Sequence, residues 1–285
     1  MIVRFFSTET RHLELLLSAI EAGRGQEAVS RSDDPTQDTQ SGKSGPDTWE
    51  WEERYITLLW LSQLLLAPFD LASISSEDSE SITPPEIVGF EWPENVPGLT
   101  MRVVPLAVSY LSSSGKERDS AKVLLVRLAM RRDMQELGIF RALVRWSMAS
   151  LRTASSRQST YYYIGVLSFM AGLLTSSVGT THMDPFLPHI LEIMSAIWDD
   201  HPSTDFRYAI KISVVARKVM IKILRVVSAI ALQRPDEQSS QDILQDTVPM
   251  LLGVYIICSS LCTFRGRDWV GMITTSLCLW NSFPA

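Results

Sequence analysis

The sequence has few of the residues that most often build reactive centres. Histidine occurs four times and cysteine three times in 285 residues, and the motifs HExxH, CxxC and GxSxG do not occur. Three cysteines cannot form a disulfide framework, and so few of them indicate a reducing compartment. We therefore predict no catalytic residue, no metal site and no cofactor, and we expect a protein that is not an enzyme.

An excess of positive charge is also missing. The chain has 26 basic and 32 acidic residues, a net charge of −6, so overall charge gives no sign of nucleic-acid binding. Glycine and proline, at 14 residues each, are too few for a collagen-like or low-complexity chain. Hydrophobic residues make up 46% and charged residues 20%, which is typical of a packed soluble protein forming about two domains or one extended array.

Three apolar stretches invite comparison with membrane spans. Gln158–Met183 and Thr247–Phe264 carry no formal charge, and Tyr55–Phe69 is the most hydrophobic. About 20 apolar residues are needed to cross the bilayer core; Tyr55–Phe69 is shorter than that, and the other two become polar along their length. We expect buried helices here, and no membrane span. The N-terminus lacks the pattern of a signal or transit peptide, so we expect a cytosolic protein.

Helical periodicity dominates the sequence, and no alternating strand pattern is sustained. A short helix is predicted at Thr10–Ala22, ended by two glycines. Gly25–Thr48 has almost no apolar residue and cannot offset its ordering entropy, so we predict a disordered insertion. Another helix is predicted at Trp49–Ala67, followed by a polar connector at 70–98.

From Leu99 onward, helices recur at short spacing. Pro105 and Pro188 fall in predicted first turns, where a missing amide hydrogen costs little. Pro249 would kink or split the last helix. The predicted helices span 104–112, 116–131, 133–152, 159–176, 187–199, 205–232 and 240–261.

Two of these helices have a distinct apolar face at about 100° per residue. In 116–131 that face consists of Ala121, Leu124, Leu125, Leu128 and Ala129. In 213–232 it consists of Ala216, Val219, Met220, Ile223, Val227 and Ile230. Each helix therefore has one face to bury and one to leave in water.

Pairs of such helices without strands predict an all-α superhelix, a solenoid of the HEAT or armadillo kind. Residues 1–24 would be a helical-repeat remnant and 25–48 the disordered insertion. Residues 49–232 would form the solenoid with its connector at 70–98. The last helix and a divergent tail would occupy 233–285.

Several patterns resemble reactive motifs without meeting their requirements. The GKS run at 42–44 lacks the earlier glycine of a phosphate-binding loop and has no strand before it. His182, His189 and His201 lack the close spacing of a zinc site, although His189 could meet Glu192 on one helix face. Cys258 and Cys262, with Cys278 further on, are best interpreted as buried small apolar side chains.

A basic arc is the most suggestive charge pattern. Arg217, Lys218, Lys222 and Arg225 lie opposite the apolar face of the helix predicted at 205–232. The simplest interpretation is a solvated helix face. The functional alternative is a contact with an acidic protein surface, since no aromatic residues interleave with the arc as single-stranded nucleic acid would require.

Four segments in order resemble one family. WEERYITLLWLSQLLLAPFDLASI (51–74) closely resembles a signature segment of the tubulin folding cofactor D family, a group of large tubulin-specific chaperones. SYLSSSGKERDSAKVLLVRLAMRRDM (109–134) and ARKVMIKILRVV (216–227) resemble later helices of that family, and VRFFSTETRHLELLL (3–17) resembles an earlier one. The resemblance covers about residues 3–230. Family members are longer, and the tail after about Pro249 departs from their pattern, so we expect a partial chain.

The resemblance implies a non-enzymatic chaperone. Such proteins receive β-tubulin after its release from chaperonin, assemble with other tubulin folding cofactors, and contribute to stimulating GTP hydrolysis by tubulin. They also bind a small Arf-like GTPase. The resemblance further implies a cytoplasmic protein associated with the microtubule cytoskeleton. A generic helical-repeat scaffold or transport adaptor with no tubulin role remains the alternative, and an integral membrane protein is the third hypothesis.

The matching segments supply family markers whose roles we expect to be structural. Of these, Trp51, Trp60 and Phe69 are predicted to pack in the core. Lys116, Arg118, Asp119 and Arg127 are predicted to form inter-helix ion pairs in preference to a binding edge. The remaining markers are Arg54, Tyr55, Pro68 and Asp70.

Overall fold

The helices of this chain stack in two layers. The computed structural model describes residues 7, 9–30, 50–75, 83–153, 158–199, 210, 213–233, 241–245 and 247. In these residues there are helices and turns but no strand. The helices are α1 (His12–Ser30), α2 (Trp51–Leu64), α3 (Leu71–Ile74), α4 (Gly98–Tyr110), α5 (Glu117–Ala129), α6 (Arg132–Glu136), α7 (Ile139–Arg152), α8 (Thr160–Ser176), α9 (Leu187–Asp199) and α10 (Val214–Leu232).

The long helices pair in chain order. Helix α1 packs on α2, α4 on α5, α7 on α8, and α9 on α10. The second helices of these pairs also contact one another in sequence, α2 with α5, α5 with α8, and α8 with α10. The first helices α1 and α4, and likewise α7 and α9, contact each other much less. The layer of second helices is therefore the more closely packed one. The predicted all-α solenoid is confirmed.

The core runs along the whole stack between the two layers. The predicted apolar face of α5 is fully buried, with its five residues at 0% exposure. In α10 the predicted face is also buried, except for Val219, which is partly exposed. Burying one large aliphatic side chain stabilises a fold by about 1.5–3 kcal/mol, so these faces hold consecutive pairs together.

Helix α8 is the most enclosed of the helices. Ser159 accepts a hydrogen bond from the amide of Tyr162 and so caps its first turn. Packing against α5, α7 and α10 buries nearly every position between Tyr162 and Leu174. The uncharged stretch Gln158–Met183 thus contains a core helix. Among the described residues, no helix is both long enough and apolar enough to cross a membrane.

Two predicted helix boundaries are wrong. Helix α1 continues to Ser30, through Gly23 and Gly25, because glycine inside a helix costs only about 1 kcal/mol. The first six residues of the predicted insertion are therefore helical, and 31–48 lie outside the described residues. Helix α4 begins at Gly98, which places Pro105 well inside it and not in the first turn. Burial of Val103, Val104, Leu106 and Ala107 on both sides of the proline stabilises this helix despite the lost hydrogen bond.

The helix predicted at 133–152 is two helices. Gly138 has φ of +83°, a left-handed conformation that ends α6 and turns the chain into α7. Pro188 does lie in the first turn of α9, as predicted. In the predicted last helix, residues 241–245 are helical. The GKS run, His201 and the three cysteines lie outside the described residues.

The described parts of the connector between α2 and α4, residues 65–75 and 83–97, are packed, although they are largely irregular. It contains α3, and its later part buries Phe90 and Val96. The rings of Phe90 and Trp92 meet edge to face at 4.7 Å, and the indole N–H of Trp92 donates to the carbonyl of Pro85 at 2.9 Å. The described parts of this connector therefore belong to the folded body.

Candidate protein-binding surface

Helix α2 begins with a reciprocal cap and an exposed tryptophan. The Glu50 side chain accepts from the backbone of Glu53, and the Glu53 side chain accepts from the Glu50 amide at 3.0 Å. The next residue, Trp51, is 42% exposed, and the ammonium of Lys116 lies 5.4 Å from its ring centroid. The expectation that Trp51 packs in the core is wrong, since its position in the first turn leaves it at the end of the stack, where a cation covers one ring face.

Helices α2 and α5 run parallel and in register. Near their N-termini, Arg54 Nε lies 3.7 Å from Glu117 Oε1. Further along, Arg127 Nη1 donates to Ser62 Oγ at 2.9 Å, joining residues 65 apart in sequence. At their C-termini Arg131 donates to the carbonyls of Leu65 and Ala67, 66 and 64 residues away. This nearly constant separation places the middle of one helix beside the middle of the other.

Arg131 and Asp133 fix the segment that follows α2. Besides the two carbonyls named above, Arg131 Nη2 donates to the carbonyl of Phe69 at 2.6 Å and to Asp133 Oδ2 at 2.9 Å. The same carboxylate oxygen accepts from the amide of Leu71 at 2.9 Å. Burial would raise the pKa of Asp133, but the hydrogen bonds from Arg131, Leu71 and Met134 outweigh that effect and hold this pKa below its usual value.

We call Arg131 and Asp133 the Arg131–Asp133 clamp. Next to the backbone that it holds, two large apolar side chains are exposed to solvent. Phe69 is 61% exposed and Leu66 is 57% exposed. The prediction that Phe69 packs in the core is therefore wrong, because the clamp binds its backbone carbonyl and leaves the ring outside. Pro68 and Asp70, on either side of Phe69, are exposed as well. An exposed aromatic on a fixed backbone loses little entropy when it binds a partner.

The outward sides of α2 and α5 form a partly apolar surface. By helical spacing, Ile56 and Leu59 lie within about 60° of one another on α2, and Leu66 follows just after this helix ends. The register with α5 brings Val123 to the level of Leu59. Ile56, Leu59 and Val123 are partly exposed, and Leu66 is exposed. We call these four residues the α2–α5 face.

Charged residues border the α2–α5 face. Glu52 and Asp119 are exposed near its N-terminal end, and Asp119 pairs within α5 with Lys122 at 3.1 Å. At its C-terminal end, Arg132 pairs with Glu136 at 2.9 Å. An apolar centre with a charged rim is the usual composition of a protein-binding surface.

The remaining family markers have mixed roles. Trp60 is partly buried and packs on the core, where its indole N–H donates to the carbonyl of Ser7 at 2.8 Å. Tyr55 is partly exposed. The inter-helix ion pairs predicted for four residues do not form as such: Lys116 lies over Trp51, Asp119 pairs within its own helix, and Arg127 binds a hydroxyl. The Nε atom of the fourth, Arg118, is buried with no hydrogen-bond partner. The one α2–α5 ion pair that the described residues show joins Arg54 and Glu117.

The predicted basic arc on α10 is smaller than expected. Lys218, Lys222 and Arg225 are exposed, but Arg217 is 4% exposed. Its position about 100° around the helix from Lys218 places it at the edge of the buried face. The arc therefore consists of three cations.

The histidine-rich region shows no metal site in the part of the chain described. His189 Nδ1 lies 3.8 Å from Glu192 Oε2, and both side chains are exposed. Glu192 also pairs with Arg152 of α7 at 2.7 Å. Among the described residues, no three histidine, cysteine, aspartate or glutamate side chains are placed to hold a metal ion.

Sequence reasoning missed the clamp and Leu66. The Arg–Arg–Asp run after a leucine-rich helix was a visible signal, but its partners are carbonyls more than 60 residues away. The pattern around Leu66 also gave no sign of its exposure, because it directly follows a helix in which Leu58, Leu61, Ser62 and Leu64 are buried.

Comparison with known proteins identifies the family. No solved structure matches this chain. The family model described as tubulin-specific chaperone D-like, ARM repeat matches residues 1–151, more than half of the chain, and this range includes α1 to α6 and almost all of α7. The α2–α5 face and the Arg131–Asp133 clamp lie within the match, whereas α10 lies beyond it. This chain belongs to the tubulin-specific chaperone D-like family of ARM-repeat proteins, and at the level of the family its role is related to tubulin chaperoning.

Proposed function

We propose that this chain is a non-enzymatic chaperone unit that binds β-tubulin during assembly of the tubulin heterodimer after chaperonin release. The α2–α5 face carries this proposal. It offers a partly exposed apolar surface on the layer of second helices, inside the residues that match the family model. A curved stack of helices can contact a large folded client over many repeats.

The chemistry of the face suits a folded client with exposed apolar surface. Leu59 and Val123 lie at its centre, and the exposed Leu66 extends it toward Phe69. Binding energy in such surfaces is concentrated in a few central side chains, while a charged rim steers the encounter. A stable interface buries about 800 Å² on each partner, so this face would be the anchor of a larger contact.

The proposal extends to the partners of the assembled complex. By family relationship, these are the other tubulin folding cofactors and a small Arf-like GTPase, in the cytoplasm and at the microtubule cytoskeleton. We infer that the chain contributes to GTP hydrolysis by holding β-tubulin in the assembly, while the nucleotide and the reacting groups belong to tubulin. Purified chain should therefore not hydrolyse GTP in the absence of tubulin, and hydrolysis by the chain alone would contradict this part of the proposal.

Substitution of the centre of the face tests the client role. The double variant Leu59→Ser/Val123→Ser should bind native β-tubulin at least about tenfold more weakly than the unchanged chain, since each central apolar side chain contributes about 1 kcal/mol or more. The matched control is Val88→Ser, because Val88 is 79% exposed and lies on the connector, away from the face. Binding would be measured by capture of labelled β-tubulin on the immobilised chain, with circular dichroism confirming that each variant is folded.

The outcomes separate the competing functions. Loss of binding in the double variant and retention in Val88→Ser would support the α2–α5 face as a client surface. Equal binding by all three chains would remove the face from the client role. If the unchanged chain does not bind β-tubulin, and affinity capture recovers neither tubulin nor an Arf-like GTPase, the generic scaffold or adaptor becomes the better account.

A further inference from the structure

Helix α10 has a charge opposite to that of the chain as a whole. Its 19 residues include two arginines and two lysines but no acidic residue, while the whole chain has a net charge of −6. Three of these cations, Lys218, Lys222 and Arg225, are exposed. The helix therefore forms a local basic surface on an acidic protein.

These cations lie on one continuous exposed stripe. At about 100° per residue, Val214, Lys218, Arg225 and Leu232 fall within about 40° of one another. Lys222 and Ala229 lie immediately beside them and are also exposed. Val214 and Leu232 are 54% and 53% exposed, so the stripe has a basic centre with an apolar residue at each end. It is about 27 Å long, from 18 steps of about 1.5 Å.

The three cations are not used inside the described structure. Elsewhere, exposed or half-buried arginines pair with carboxylates of other helices, as Arg102 does with Glu21 and Arg152 with Glu192, both at 2.7 Å. Lys218, Lys222 and Arg225 form no ion pair with another described residue. None of the described carboxylates therefore neutralises these three charges.

We propose that the exposed stripe of α10 is a docking site for an acidic segment of a partner protein, one with apolar residues on both sides of its carboxylates. The complementary charge selects acidic side chains for the centre of the stripe. Val214 and Leu232 select apolar side chains for its ends. An extended segment of about eight residues, at about 3.4 Å each, matches the length of the stripe.

Two other anionic partners fit the stripe less well. A helix that binds a membrane surface inserts its apolar face among the lipids, but Met220, Ile223 and Val227 of that face are buried in the solenoid. Single-stranded nucleic acid needs aromatic side chains for base stacking, and α10 contains none. A protein segment needs only the charges and apolar ends that the stripe offers.

The inference does not depend on the identity of the client bound by the α2–α5 face, and it is tested with a synthetic peptide. The probe is a fluorescent peptide of four glutamates between two leucine pairs, added to the full 285-residue chain at about 0.15 M salt. We expect saturable binding by fluorescence anisotropy. Replacing the leucines of the peptide by serine should weaken it several-fold.

Two charge-reversal variants of the chain make the test specific. Lys218→Glu/Lys222→Glu should weaken peptide binding by at least about tenfold, since each reversal removes a favourable surface charge and adds a repulsive one. Arg141→Glu/Arg145→Glu is the matched control, because both residues are exposed on α7 with the same spacing and the same change of charge. The control should bind within about twofold of the unchanged chain.

Each other outcome overturns the proposal. Equal weakening by both variants would show general electrostatic attraction and no defined site. Absence of saturable binding would show that the stripe is a solvated helix face. Tighter binding to vesicles with one-third phosphatidylserine, or to polyuridylate, than to the peptide would assign the stripe to a membrane or to RNA.

Discussion

Arg131 Nη2 lies 2.9 Å from Asp133 Oδ2, and together these two side chains bind four backbone groups of the segment between α2 and α3. The carbonyls of Leu65, Ala67 and Phe69 accept from Arg131, and the amide of Leu71 donates to Asp133. Carbonyls at the end of a helix have no intrahelical partner, and here a residue from the next repeat binds the carbonyl of Leu65, the C-cap of α2, and two carbonyls beyond it. The clamp therefore joins two consecutive repeats and positions Leu66 and Phe69 at the surface.

Replacing Arg131 by lysine should weaken this junction. Lysine keeps the charge but lacks the planar fork of donors that reaches several acceptors at once. We expect Arg131→Lys to lower the free energy of unfolding by about 2 kcal/mol, since a hydrogen bond to a charged group contributes about 1.5–3 kcal/mol and part of the set would remain. Urea denaturation followed by circular dichroism measures the change.

The neighbouring arginine is the control for that experiment. Arg132 pairs with Glu136 at the surface, and exposed pairs of this kind contribute little. Arg132→Lys should leave the urea midpoint unchanged. A similar loss in both variants would mean that the bonds from Arg131 to the carbonyls contribute nothing specific to stability.

Asp133 should make the free energy of unfolding depend on pH in the acidic range. Its pKa is lower in the folded chain than the usual value of about 3.9, so its charged form stabilises the fold. That contribution is fully present above about pH 4 to 5 and is lost as the pH falls through the lower folded pKa. Asp133→Asn should therefore be less stable than the unchanged chain at pH 7, and the difference should shrink toward pH 2 to 3.

The measurement is a series of urea midpoints for both chains between pH 7 and the lowest pH at which the unchanged chain is folded. A difference in unfolding free energy that stays constant over that range would show that the charge of Asp133 does not contribute. Asp119→Asn is a suitable control, because Asp119 is exposed and pairs only within its own helix.

Two glycines of α8 should respond differently to alanine. A Cβ atom at Gly165 would overlap the backbone carbonyl of Leu111, which cannot move without shifting the end of α4. At Gly172 the nearest atom is a methyl group of Val126, 2.8 Å away. Valine has one strongly preferred rotamer in a helix, so this contact would be relieved by a small separation of α5 and α8. We expect Gly165→Ala to destabilise the chain by about 1–3 kcal/mol. Gly172→Ala should be less destabilising than Gly165→Ala, since a side-chain methyl gives way more easily than a backbone carbonyl and the gain in helix propensity of about 1 kcal/mol offsets part of the clash.

Thermal unfolding of the two variants, compared with Gly179→Ala, tests this difference. A Cβ atom at Gly179 would have nothing within 4 Å. If Gly172→Ala were as destabilising as Gly165→Ala, the contact between α5 and α8 would be more rigid than the side-chain contact suggests.

The solenoid itself could be predicted from sequence because its determinants are local. The buried face of α5 and most of that of α10 follow from residues three and four apart, which any helix brings to the same side. The ends of the helices were harder to predict from the sequence. Pro105 indicates a helix start by its own chemistry, and only burial on both sides of it shows that the helix continues. Gly138 allows the helix predicted at 133–152 to be interrupted, but whether it is interrupted depends on how α6 and α7 pack.

The candidate surfaces could be predicted only in part, for a related reason. Exposure of Trp51 and Phe69 depends on the contacts of the next repeat, through Lys116 and Arg131. Hydrophobic character alone favoured burial for both. Arg217 shows the opposite case: the sequence pattern predicts that it lies on the exposed basic arc, but it is buried at the edge of the apolar face of α10. Sequence periodicity fixes the direction of a side chain to within a few tens of degrees, which is too coarse at the border of a buried face.

The enclosure of α8 has a consequence for synthesis of the chain. This helix leaves the ribosome before α10, which covers one of its sides. Until α10 has formed, only α5 and α7 can shield the apolar residues around Tyr163 and Phe169. An exposed apolar helix of this kind promotes aggregation of nascent protein, so the newly made chain would itself need protection during that interval.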